Sequence, residues 1–218
     1  MPNTCTIKDK SLMFDILAEM FNIGIGKSAS LLSEIINKKI LLDISRFNIF
    51  FDCDLNEKNI EKFLSKVTDG TLMVSSIEFE KKITGEANLI FPMDKMRAFI
   101  NLCLNQESVV CENENNFTDV DIDIIKEIGN IVLNALIGEI SNFLNVSLNY
   151  SLPKVRFFCK DFFKLKIENK KDSCIILLYV TFIIDETEIQ GAIIVNLNLN
   201  SLKELMRIIK KMEDELYA

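Results

Sequence analysis

Two stretches of this chain set the same three polar residues at the same spacing inside apolar helical runs: Asp15-x-x-x-Glu19-x-x-Asn22 and, about half the chain further on, Asp123-x-x-x-Glu127-x-x-Asn130. On a helix, positions i, i+4 and i+7 share one face. Each stretch therefore draws a stripe of carboxylate, carboxylate and carboxamide along an otherwise apolar rod. A carboxamide both donates and accepts hydrogen bonds, so it can hold and orient a water. It is a weak base, which suits it to reactions limited by positioning. Hydrolysis of a phosphoryl group is such a reaction, because its loose transition state leaves the protein mainly to place water in line. The glutamate would repel phosphate directly. It fits better as a grip for a lysine beside the phosphate. A ridge, unlike a pocket, implies that the phosphoryl group is presented by another protein.

Other readings of the stripes fare worse. Helix carboxylates commonly just face water, but the identical trio in both halves argues against drift at solvated positions. A magnesium site wants converging oxygens; asparagine is a poor ligand and the chain has no histidine. A glycosidase pair must face across a cleft, whereas Asp15 and Glu19 lie side by side on one helix. Gly26-Lys27-Ser28 imitates the end of a phosphate-binding loop, yet the first glycine of that motif would fall at Phe21 and no strand precedes it. Gly24, Gly26, Ser28 and Ala29 read better as small residues that let a neighbouring helix or a partner come close, at a cost in helix propensity.

Composition narrows the choice further. The chain has 218 residues, half of them hydrophobic (49%), which is ample for a core and excludes disorder. A net charge of −7 argues against a general nucleic-acid binder. Without histidine there is no Ser-His or Cys-His pair. Cys5, Cys53, Cys103, Cys111, Cys159 and Cys174 form no C-x-x-C motif and read as reduced, mostly buried thiols. The N-terminus has no apolar signal core, and the longest apolar run, residues 175–184, suits a buried strand and not a bilayer span. The expected location is the cytoplasm, with no nucleic acid and no membrane insertion.

The elements that must carry the stripes follow from periodicity. Ser11 is the expected N-cap of a long helix over residues 12–36, whose polar stripe is Asp15, Glu19, Asn22, Gly26, Ser30 and Ser33. Then come strand pieces over 39–52, a short helix over 56–67, and a hairpin of 72–79 with 87–91, in which Gly85 marks a bulge or a close approach. Pro92 ends that strand and Asp94 caps a helix to about residue 104; the polar, acidic stretch 105–118 is the best linker. The plan then repeats. Thr118 caps a second long helix to about 144, with the stripe Asp123, Glu127, Asn130, Asn134 and Ser141. Strands 146–150 and 155–158 flank Pro153, a hairpin of 175–184 with 189–197 carries Gly191 where the first carries Gly85, and Ser201 caps a last helix. This is an internal duplication of about residues 11–104 and 118–212. The expectation is one α+β domain over residues 1–218: an antiparallel sheet covered by helices, with a pseudo-twofold axis relating the two long helices. Two separate domains are the other arrangement the pattern allows.

The strings Glu19-Met20-Phe21-Asn22-Ile23-Gly24-Ile25-Gly26, Ser28-Ala29-Ser30-Leu31-Leu32-Ser33 and Glu127-Ile128-Gly129-Asn130-Ile131 resemble the CheC/CheX/FliY family of chemotaxis phosphatases, and the similarity extends over the whole chain, both hairpin glycines included. The resemblance implies a CheC-like fold and hydrolysis of the phospho-aspartate of the response regulator CheY. It implies that Asn22 and Asn130 position the attacking water, that Glu19 and Glu127 pair with the regulator's active-site lysine, and that Asp15 and Asp123 support them. Magnesium in such complexes belongs to the regulator, so no cofactor of this chain is implied. Two intact copies resemble CheC more than CheX, and the lack of a further domain after Ala218 disfavours FliY. Relatives of the CheC kind often also bind the receptor deamidase CheD. One departure stands out: the first copy has Phe21 where the family usually has glycine. Its bulk beside Asn22 is expected to reduce that site's fit, leaving the second site at least as active. The rivals to a phosphatase are a non-catalytic protein that docks CheD or a regulator, and a structural part of a flagellar switch.

Overall fold

The structure, a computed structural model, describes residues 7–51, 57–67, 70–104, 117–168 and 173–216. In chain order it runs α1 (Ile7–Ile36), β1 (Ile40–Phe51), α2 (Glu57–Val67), β2 (Thr71–Lys81), β3 (Gly85–Pro92), α3 (Met93–Leu104), α4 (Asp119–Phe143), β4 (Leu148–Tyr150), β5 (Lys154–Cys159), α5 (Lys160–Glu168), β6 (Ser173–Ile184), β7 (Thr187–Asn198) and α6 (Leu199–Leu216).

All of these strands join one antiparallel sheet in the order β1-β6-β7-β3-β2-β4, with β5 also on β2. The order reads the same when the halves are exchanged, β1 for β4 and β5, β2 for β6, β3 for β7. A pseudo-twofold axis thus passes between β3 and β7, as the duplication led one to expect. The halves also interleave: β1 from the first half lies on β6 of the second, and β4 and β5 of the second lie on β2 of the first. No single half owns the sheet.

The central strands are buried on both faces, and their period-2 alternation sorts the side chains into two cores. One face sends Met73, Ile77, Phe79, Leu89, Phe91, Ile176, Leu178, Ile193 and Val195 against the apolar sides of α1, α3, α4 and α6. The other sends Leu72, Val74, Ile90, Ile175, Leu177 and Ile194 against Ile60, Phe63 and Leu64 of α2 and Phe163 and Ile167 of α5. Each such side chain contributes on the order of 1.5–3 kcal/mol through burial. Pro153 cannot donate to the ladder and separates β4 from β5. Ser151 bridges the gap, its N–H donating to Glu78 O at 2.8 Å and its Oγ accepting the Glu78 N–H at 2.9 Å.

Several termini differ from expectation. Helix α1 begins at Ile7, so Ser11 lies inside it and is not its cap. Helix α3 starts at Met93, directly after Pro92, which places Asp94 in its first turn. Helix α6 starts at Leu199 because the Asn198 carboxamide accepts the Ser201 N–H at 2.8 Å. Ser201 serves elsewhere. Its Oγ accepts the Thr84 N–H at 2.7 Å and donates to Thr84 O at 3.1 Å, tying α6 to the β2–β3 turn. Helix α5 is an element the periodicity did not lead one to expect; its signal is the pair Phe163 and Ile167, one turn apart. Gly85 sits in unbroken register opposite Phe79, so it marks a close approach and not a bulge: a Cβ there would lie 2.4 Å from the Phe79 ring. Among the cysteines, Cys174 is buried and Cys103 half-buried, and burial pushes both thiols up to about 12, against a weaker opposing pull from Lys38 at Cys103. Cys159 is exposed. Cys5, Cys53 and Cys111, and the acidic stretch 105–116, lie outside the described residues.

Thr118 caps α4 as expected, and the cap is reciprocal. Thr118 Oγ1 accepts the Asp121 N–H at 3.2 Å, and Asp121 Oδ2 accepts the Thr118 N–H at 2.7 Å. The same oxygen receives Arg97 of α3 at 2.9 Å, and Arg97 lies over the Phe117 ring. Burial alone would raise the Asp121 pKa, but the hydrogen bonds at Thr118 and the Arg97 guanidinium outweigh it and hold the carboxyl below its ordinary value. A depressed folded pKa stabilises above the unfolded value of about 3.9, and that stabilisation is lost as pH falls through the folded pKa. Asp121→Asn is therefore expected to lose about 2 kcal/mol at pH 7 and to show a shallower decline in stability below about pH 4. Urea denaturation from pH 3 to 7 checks this; parallel acid limbs in the two proteins would remove the assignment.

Candidate functional site

Helices α1 and α4 lie against each other on one face of the sheet. Gly24 lets the two helices come close: a Cβ on it would sit 3.0 Å from Leu136 Cα and 3.3 Å from Ala135 O. Of the four small residues singled out in the sequence, Gly26 does not share this role, since a Cβ there would meet nothing within 4 Å. Ser28 is buried and its Oγ returns to Gly24 O at 2.8 Å. Gly24 to Ser28 are continuous helix, so their N–H groups are used within it and offer no phosphate cradle. Lys27 pairs with Glu139 across the helix pair at 2.5 Å.

The face of α1 toward the sheet buries Leu17, Met20, Phe21, Ile25 and Leu32. That leaves Asp15, Glu19 and Asn22 exposed on the outer face. Helix α4 repeats the division: Ile125, Ile128, Val132 and Leu136 go inward, Asp123 and Glu127 are exposed, and Asn130 is half-buried. The four carboxylates and Asn22 thus stand on open ridges, as the spacing leads one to expect, while Asn130 is partly covered. Among the described residues, no hydrogen bond or ion pair links one trio to the other. Asp15, Glu19, Asn22 and Glu127 have no side-chain partner among the described residues. Asp123 pairs with Lys126 at 2.8 Å.

The lower ends of the two stripes are structural. Ser33 Oγ accepts the Ile40 N–H at 2.9 Å, and Ser141 Oγ donates to Val146 O. In both halves a serine ties the end of the long helix to the chain that follows it.

Phe21 requires a correction. The residue is fully buried (0% exposed), with its ring centroid 5.6 Å from that of Phe47 on β1. Neighbouring helix residues point about 100° apart, so its bulk enters the core and does not crowd Asn22. Its counterpart Gly129 explains the difference between the copies. A Cβ on Gly129 would fall 2.1 Å from Ser75 Oγ, because α4 lies directly on β2. Glycine in one copy and phenylalanine in the other set how each helix rests on the sheet. They leave the outer faces alone.

The copies do differ one turn further along. In α4, Asn134 Nδ2 donates to Asn130 Oδ1 at 2.7 Å. In α1 the corresponding position is Gly26, and Asn22 stands unsupported. The sequence marks Asn134 and Gly26 as members of the stripes without showing their effect on the motif asparagine. The signal that could have shown it is the i, i+4 spacing of two carboxamides.

No protein-family model and no curated protein sequence matches the chain. Its fold does match solved structures. FliY of Thermotoga maritima superposes with a TM-score of 0.69 over 94% of this chain and 98% of that one, at 16% identity. FliM from the FliG–FliM complex of H. pylori gives 0.61, covering 93% and 99% at 11% identity. The chemotaxis protein CheX of Vibrio vulnificus gives 0.51, covering 83% and 99% at 13% identity. The chain therefore has the CheC-like α+β fold, an antiparallel sheet with long helices, that FliY, the FliM middle domain and CheX share.

Proposed function

We propose that this protein is a chemotaxis phosphatase of the CheC kind that hydrolyses the phospho-aspartate of a CheY-type response regulator and so shortens the signal to the flagellar motor. The observation that carries the reading is the paired display: Glu and Asn one turn apart on the outer side of each of two helices related by the pseudo-twofold axis, with both glutamates and Asn22 exposed and Asn130 half-buried. Asn22 and Asn130 aim water at the phosphorus. Glu19 and Glu127 hold the regulator's active-site lysine, and Asp15 and Asp123 flank them. Exposed carboxylates on a ridge suit a partner that supplies the cation, and the regulator also brings the magnesium. The work is then positioning, which accounts for the absence of histidine. No helix among the described residues is long and apolar enough to cross a membrane, and the reading places the protein with the regulator in the cytoplasm.

The decisive measurement is phosphate loss from a purified, phosphorylated CheY-type regulator with and without this protein. The expected result is catalytic acceleration at substoichiometric amounts. A second reading has its own support, since FliM, which shares the fold, has been solved in complexes with FliG and with SpeE. A docking protein of that sort, whether for a regulator, CheD or a switch component, would bind without accelerating phosphate loss, and that outcome would replace the phosphatase reading.

A further inference from the structure

We infer that Asn134 is the positioning residue of the α4 site, and that its lack of a counterpart on α1 makes the two sites unequal; this rests on the phosphatase reading for its kinetic consequence. A lone asparagine carboxamide rotates broadly about its last torsion. The 2.7 Å bond from Asn134 Nδ2 to Asn130 Oδ1 removes that freedom. It leaves the Asn130 amide hydrogens and the second lone pair of Oδ1 for water. On α1, Asn22 is exposed and Gly26 offers it nothing.

A second observation supports a functional role over a structural one. The Oδ1 of Asn134 is buried and has no hydrogen-bond partner among the described residues. A buried unsatisfied acceptor destabilises a fold, and alanine is a better helix former than asparagine. Stability alone therefore favours alanine at this position. A residue that weakens the fold while fixing its neighbour is the pattern expected of a supported reactive group.

The inference separates activity from stability. In a protein whose α1 site is disabled by Asn22→Ala, adding Asn134→Ala is expected to lower kcat about tenfold with KM unchanged, while the melting temperature stays level or rises. In the converse Asn130→Ala background, Gly26→Asn is expected to raise the α1 rate severalfold, since the added side chain has open space. A readout independent of turnover is the NMR order of the side-chain amides. Asn130 should be more ordered than Asn22 and should lose that order in Asn134→Ala. The inference is overturned if Asn130 order is unchanged in Asn134→Ala, if kcat is unchanged, or if kcat falls only together with the melting temperature. Were the unmutated protein to show no phosphatase activity, the functional reading would fail, and the amide order would still decide the pre-organisation.

Discussion

Replacing Asn22 and Asn130 together by alanine is expected to remove the acceleration of regulator dephosphorylation, a loss of about 100-fold or more at saturating regulator. The fold should survive, because Asn22 is exposed, Asn130 is half-buried, and alanine is the better helix former. The loss should appear in kcat, since the carboxamide acts on water at the moment of attack. Each single variant keeps one site, and Asn130→Ala should cost more than Asn22→Ala because only Asn130 is held by a neighbour. Removing Glu19 and Glu127 instead should raise KM, because those carboxylates hold the partner's cation. A steady-state series over regulator concentration separates the two effects. A double asparagine variant as active as the parent protein would end the mechanism.

The second large effect is on stability. Phe21→Ala is expected to destabilise the fold by about 3–5 kcal/mol, the usual cost of truncating a fully buried phenylalanine. The side chain is 0% exposed and packs near Phe47, so a cavity would open between α1 and β1. Urea denaturation measures it, and a loss below about 1 kcal/mol would show that Phe21 does not hold α1 to the sheet. Kinetics add a second test. Because Phe21 faces away from Asn22, Phe21→Gly, which restores the usual motif, should not improve the α1 site under conditions where the variant stays folded. The reverse change at Gly129 meets a wall, since even a methyl group collides with Ser75.

Much of this was legible in the residues. Helical periodicity over α1 and α4, alternation in the hairpins, and repetition of the plan were enough to anticipate a duplicated antiparallel sheet under two long helices. Thr118 was readable as a cap because a capping box is a local motif. Ser11 and Ser201 misled because a capping residue type does not fix where a helix begins. In α6 the cap went to Asn198, leaving the Ser201 hydroxyl to bond Thr84, far away in sequence. Helix α5 escaped notice because it is short and its stability comes from packing Phe163 and Ile167 against the sheet and α2.

The candidate site divides in the same way. The sequence by itself determined the chemistry on offer: two Glu/Asn pairs at i, i+3, no histidine, and helices amphipathic enough to turn those pairs outward. These follow from residue type and helical geometry, which need no knowledge of neighbours. Only the tertiary structure decided that Phe21 points into the core, that Gly129 lets α4 rest on Ser75, and that Gly24 lies close against Leu136 of the other helix. Each depends on how close distant segments come, and that distance is set by side-chain volumes summed across the helix–sheet interface. Sequence order does not carry that sum. The orientation of Asn134 toward Asn130 belongs to the same class, since which way a carboxamide turns is settled by what else surrounds it.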